Sequence, residues 1–187
     1  MMNNSVDKKV IAEFGVLVAK KILKLFEIDI LLLFEDLSLF KNKETTATFL
    51  RESYIIVFNN EWLESSSDVE IIACAFHEVR HAYQQAQIDF REQLEIQETK
   101  EIIKIWENEI KNYKQSTGKY DRDLDYLSQE LEIDATAFEQ FLIKELFNVE
   151  PDIHFGIKEK VLTRLSNFEF LIEGLDLPKI DLRGVVH

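Results

Sequence analysis

Apolar residues recur at helical spacing in five stretches of the chain, and three short extended stretches lie between the first and second of them. Val6, Val10, Phe14, Leu17, Val18, Ile22 and Phe26 fall three or four residues apart, which predicts an amphipathic helix with Ser5 as its cap. Residues 28–34, 45–50 and 54–58 are rich in β-branched and aromatic side chains and are joined by short polar connectors, so two or three strands of a small, mainly antiparallel sheet are expected. Ser67 and Glu70 have the spacing of a capping box. Beyond them Ile72, Phe76, Val79, Tyr83 and Ala86 mark one face of a second helix. A third helix is expected over about 91–115, with a stripe at Ile96, Ile103, Trp106, Ile110 and Tyr113 and a dense Glu/Lys face opposite, ending at Ser116-Thr117-Gly118. A fourth covers roughly 121–147, with Leu131, Ala135, Phe138 and Leu142 inward. A last one carries Ile157, Val161, Leu165, Phe168 and Ile172 and stops at Gly174. The expectation is a helix-rich α+β fold with its sheet near the N-terminus.

Composition supports long regular elements. Hydrophobic residues make up 46% of the 187, including 14 Phe, while there are only 5 Gly and 2 Pro. With no repeat, linker or low-complexity tract, residues 1–187 read as one domain. The net charge of −13 argues against a nucleic-acid partner, which needs clustered Lys and Arg, and against docking on anionic lipid. The most apolar run, 28–34, is too short to span a bilayer, and no signal peptide is visible, so the chain is expected to work in the cytoplasm with no membrane partner. A single cysteine, Cys74, leaves no disulfide framework and no Cys-rich zinc site. It reads as a core residue.

The chemistry concentrates at His77-Glu78-Val79-Arg80-His81. On a helix, two histidines four residues apart share one face, and both imidazoles can reach a single Zn²⁺ at about 2.0–2.1 Å. Glu78, beside the first of them, is the residue type that such sites use as general base on water. A catalytic zinc needs a third protein ligand and an open position. His154 and His187 qualify by type. Glu130 is the better candidate, because Glu130 and Asp134 share a helix face at i,i+4. One of these carboxylates can then ligate the metal while the other accepts the N–H of a ligating histidine. Glu132, about 160° from that face, is the weaker ligand candidate.

His77-Glu78-x-x-His81 with Glu130-x-x-x-Asp134-Ala135 downstream resembles the gluzincin group of metallopeptidases. The phrase Glu130-Leu-Glu132-Ile-Asp134-Ala135-Thr-Ala137-Phe138 is similar to the Glu-x-Glu-Ala-Asp/Asn-x-Phe-Ala segment of the ImmA/IrrE-like and M48-type peptidases, and the lack of membrane spans favours the former. The resemblance implies a zincin-like domain in which His77, His81 and Glu130 bind zinc, Glu78 is the base and Asp134 braces a zinc-binding histidine. It covers about residues 68–86 and 126–142. Arg80 departs from the family, which usually has Gly before its second histidine, and the charged 91–115 stretch is an insertion. The implied activity is hydrolysis of a protein or peptide substrate. The alternative is a catalytically silent gluzincin-like module that regulates or binds protein. Tyr83, Tyr120, Tyr126, Arg80 and His154 are all conceivable oxyanion donors, and strand 54–58 could bind an extended substrate by edge pairing or serve only as a core strand.

Overall fold

In the computed structural model, which describes residues 7–40, 42, 44–117, 123–150 and 152–174, helix α1 (Lys8–Ile22) starts at Asp7, whose carboxylate accepts the Lys9 N–H at 3.0 Å. Ser5, the expected cap, lies outside the described residues. The helix buries Ile11, Ala12, Gly15, Val16, Ala19 and Ile22, so its inward face is rotated from the predicted one, and Val10, Phe14 and Leu17 are exposed. Small residues explain the rotation. A Cβ on Gly15 would stand 2.8 Å from the Ala75 Cβ, because α1 packs closely on helix α3 (Asp68–Phe90) along its Ala12, Gly15 and Ala19 strip.

Three strands follow α1: β1 (Leu31–Glu35), β2 (Ala47–Leu50) and β3 (Ile55–Asn59). They form a sheet in the order β1-β3-β2. The turn after β2, in which Tyr54 takes a left-handed φ of 51°, folds β3 back antiparallel on it, with Leu50 opposite Ile55. That fills one edge of β3, and β1 occupies the other in parallel register, Leu31 opposite Ile55. The sheet is therefore mixed rather than mainly antiparallel. Because β3 is hydrogen-bonded on both sides, edge pairing with an extended substrate is closed to it.

Asn59 caps the short α2 (Asn60–Ser65), and the Ser67–Glu70 capping box opens α3 with both reciprocal hydrogen bonds in place. Ile72, Phe76, Val79, Tyr83 and Ala86 are all buried along it. The charged stretch holds a shorter helix than expected, α4 (Lys100–Lys111), preceded by a 3₁₀ turn (Arg91–Gln93) and a non-helical segment, and anchored by buried Ile103 and Trp106. The 121–147 stretch is broken at Ser128-Gln129 into α5 (Leu124–Leu127) and α6 (Glu130–Phe147). Helix α7 (Lys158–Leu165) continues as a 3₁₀ turn to Leu171. The result is a helix-rich α+β fold around one contiguous hydrophobic core. Among the described residues no helix is long and apolar enough to cross a membrane.

The contact that fixes α3 against α6 is ionic and buried. Arg80, only 1% exposed, donates from Nε to Asp134 Oδ2 at 2.8 Å and from Nη2 to Asp134 Oδ1 at 3.1 Å and Glu98 Oε1 at 2.8 Å. Arg164 of α7 reaches the same two acids, at 2.6 Å and 3.0 Å. The Arg80 guanidinium lies 4.2 Å from the Tyr83 ring centroid and 4.9 Å from that of Phe168. Two cations thus balance two anions across three helices and the segment before α4, which is how a bulky arginine is accommodated in the interior.

Breaking one member of such a group leaves buried charge unmatched, so Asp134→Asn is expected to cost about 3–5 kcal/mol at pH 7 in urea unfolding. Burial raises the Asp134 pKa, but Arg80 and Arg164 outweigh it and hold the carboxyl below its ordinary range. Its contribution is therefore present above the unfolded value of about 4 and fades as pH falls through the lower folded one. The stability gap between wild type and Asp134→Asn should accordingly narrow below about pH 4.

Candidate metal centre

The geometry of α3 places His77 and His81 on one face, and their Nε2 atoms are 3.1 Å apart. The carboxylate that meets them comes from α6. Glu132 Oε2 lies 3.4 Å from His77 Nε2, and Glu132 Oε1 lies 3.5 Å from His81 Nε2. These three side chains form the group of potential metal donors found among the described residues, with one atom from each within 4.8 Å of the others. Glu132 is 1% exposed, while His77 keeps 18% of its side chain open to solvent.

The hydrogen bonds around the cluster define which nitrogen carries each proton. Gln84 donates its amide to the Leu131 carbonyl at 2.9 Å and to Asp134 Oδ2 at 2.8 Å. Neither of these can donate, so the Gln84 oxygen must accept from His81 Nδ1, 2.9 Å away. His77 Nδ1 donates to Glu139 Oε2 at 3.2 Å. With Nδ1 carrying a proton on both rings, the Nε2 lone pairs of two neutral imidazoles would face each other beside a carboxylate. That arrangement requires a cation between them, either a proton or a metal ion. The electrostatics agree. Burial pulls the His77 pKa down, but Glu132 and Glu139 outweigh it and hold the imidazole well above the ordinary histidine range. Burial likewise raises the Glu132 pKa, yet His81 and His77 keep that carboxyl well below its usual range.

The cluster opens into a cleft of about 430 Å³ lined by His77, Glu78, Glu132, Tyr126 and, from β2 and the residues before it, Thr46 and Ala47. Glu78 is 7% exposed, and burial raises its carboxyl pKa against the lowering influence of His81 and His77. Cys74 also lines this cleft, one turn before His77, and shares a 3.5 Å hydrogen bond with Thr46. Burial pushes its thiol pKa up, and it does not belong to the converging group.

The structure separates the residues singled out in the sequence. It brings His77 and Glu78 to the cleft, and His81 to the donor cluster behind it. It puts Glu130 elsewhere: as the first residue of α6 this side chain is 49% exposed and lies 3.4 Å from Lys160 of α7. Glu130 and Asp134 do share a helix face, but that face turns toward α7 and Arg80, and Glu132, two residues on and about 200° around the helix, takes the opposite one. Asp134 accordingly bonds no histidine directly. It acts one step back, through Gln84. The partners of the ring N–H groups are Glu139 and Gln84. The visible signal for the first was the spacing Glu132, Thr136, Glu139, which places three side chains on one stripe of α6.

Of the conceivable oxyanion donors, Tyr126 lines the cleft. Tyr83 instead donates to the Ile96 carbonyl, Arg80 is committed to its acids, and the His154 Nδ1 accepts from the Gly156 N–H outside the cleft. Tyr120 and His187 lie outside the described residues. No protein-family model matches the chain, and neither a curated protein nor a solved structure is detectably similar to it.

Proposed function

We propose that the chain is a zinc-dependent peptidase in which His77, His81 and Glu132 hold the metal and Glu78 is the general base. The observation that carries this reading is the convergence of two imidazole Nε2 atoms, 3.1 Å apart, on one buried carboxylate. Two imidazoles and one carboxylate suit Zn²⁺ and leave a fourth position free, the donor set of catalytic rather than closed structural zinc. Bound there, zinc would polarise a peptide carbonyl and make water a nucleophile near neutral pH.

The chain's own residues supply the rest. Glu139 and Gln84 hold the two rings with their Nε2 lone pairs facing inward. Glu78, neighbour to the first histidine and buried at the cleft wall, is the carboxylate placed to accept a proton from water and return it to the leaving amine. The cleft beside it can take a short stretch of polypeptide, so a protein or peptide substrate fits.

Protein purified without chelator should carry one zinc per chain. His77→Ala, His81→Ala and Glu132→Ala should each lose it, and Glu130→Ala should retain it. The reverse pattern for the two glutamates would refute the ligand set. Because zinc must displace the proton that Glu132 and Glu139 favour on His77, affinity should rise with pH, measurable as proton release on binding. Glu78→Gln should keep zinc while losing about 10²–10⁴-fold in cleavage of peptides that the wild type hydrolyses. Zinc bound by a wild type that cleaves nothing in a broad peptide panel would instead favour the regulatory or protein-binding module.

A further inference from the structure

The charged insertion between the two halves of the site reaches the proposed third ligand directly. Tyr113, in the segment after α4, donates its hydroxyl to Glu132 Oε1 at 2.5 Å. Tyr126 stands edge-on to it with ring centroids 6.1 Å apart. The Arg51 guanidinium lies 5.4 Å from the Tyr113 ring centroid and limits its movement from that side.

The same insertion also seats the helix that bears Glu132. Gln129 makes no side-chain cap for α6. In its place Glu109 of α4 accepts the Glu130 N–H at 2.8 Å and the Leu131 N–H at 2.9 Å, meeting two of the free donors at the helix start with a carboxylate. Gln129 is turned toward the insertion, where its oxygen accepts the Lys114 N–H at 2.8 Å and its amide donates to the Lys114 carbonyl at 3.1 Å.

We propose that α4 and the segment after it form a built-in clamp on the metal ligand. Glu109 fixes the start of α6, and Tyr113 is a positioning residue that occupies Glu132 Oε1, so that Oε2, the oxygen nearer His77, is the one presented to the metal. A carboxylate oxygen that accepts a short phenolic hydrogen bond is a poorer donor to a cation, so Glu132 would hold a metal ion chiefly through Oε2. This inference rests on the zinc-site reading above.

The test is zinc affinity, measured by competition with a chromogenic chelator, for wild type, Tyr113→Phe and Glu109→Gln, each checked for folding by circular dichroism. Tyr113→Phe removes one oxygen and should weaken zinc binding about 10–100-fold, the effect typical of losing an outer partner of a metal ligand. Glu109→Gln should weaken it in the same direction. In the Glu132→Ala background, which no longer retains zinc through purification but keeps a weak two-histidine site for added Zn²⁺, Tyr113→Phe should not change that residual affinity, because its action passes through the carboxylate. The visible spectrum of the Co²⁺-loaded protein should also shift in Tyr113→Phe toward weaker bands, as Glu132 becomes free to bind through both oxygens. If folded Tyr113→Phe and Glu109→Gln both bind zinc within about twofold of wild type, or if the loss persists undiminished without Glu132, the clamp is wrong and the zinc site stands. A wild type that binds no zinc overturns the site, and the clamp with it.

Discussion

Arg80 and Asp134 meet in the interior with two hydrogen bonds, and the placement of the candidate site depends on that meeting. Both charges are buried, so each has lost its hydration, and only close pairing within the four-membered group with Arg164 and Glu98 offsets the loss. An apolar contact between α3 and α6 would tolerate a slip of part of a turn. A guanidinium locked onto both oxygens of a carboxylate does not. Since His81 follows Arg80 on α3 and Glu132 precedes Asp134 by two residues on α6, fixing this pair sets the histidines and Glu132 opposite one another. Gln84 joins the two systems, donating to Asp134 and accepting from His81, so the orientation of one ring is set by the same carboxylate that anchors the helices.

Much of this was legible in the sequence because it is local. The Ser67–Glu70 capping box, the buried face of α3 and the shared face of His77 and His81 follow from spacing along one helix, which needs no knowledge of neighbours. The three strands also appear where β-branched and aromatic residues cluster. What escaped was set by partners. The buried face of α1 is its small-residue strip, chosen by close approach to Ala75, and not the stripe of Val10, Phe14 and Leu17. The parallel pairing of β1 with β3 depends on which edge of β3 the β2 turn leaves open.

The carboxylate that meets the histidines shows the same limit. Spacing correctly grouped Glu130 with Asp134, but the direction in which that shared face points is decided by Arg80 and Arg164, which come from other helices. Asp134 is drawn to the cations, and the alternate acid, Glu132, is thereby turned to the histidines. The break at Ser128-Gln129 starts α6 at Glu130 and leaves that residue at an exposed helix end beside Lys160. Arg80, a departure from the resembled pattern, is thus also what selects between the two glutamates. The charged insertion likewise read as a surface helix. Glu109 and Tyr113 on and after it reach the start of α6 and Glu132 across 19–22 residues of sequence, a relation that no periodicity displays.

The central claim is that one cation sits between His77, His81 and Glu132. Anomalous diffraction from zinc-loaded crystals, recorded on both sides of the zinc absorption edge, addresses it directly. The account predicts a single strong peak at bonding distance, about 2.0–2.2 Å, from both histidine Nε2 atoms and one Glu132 oxygen, with Glu130 outside the coordination sphere. A peak bound by Glu130 in place of Glu132, or no peak at the histidine pair at saturating zinc, would contradict it.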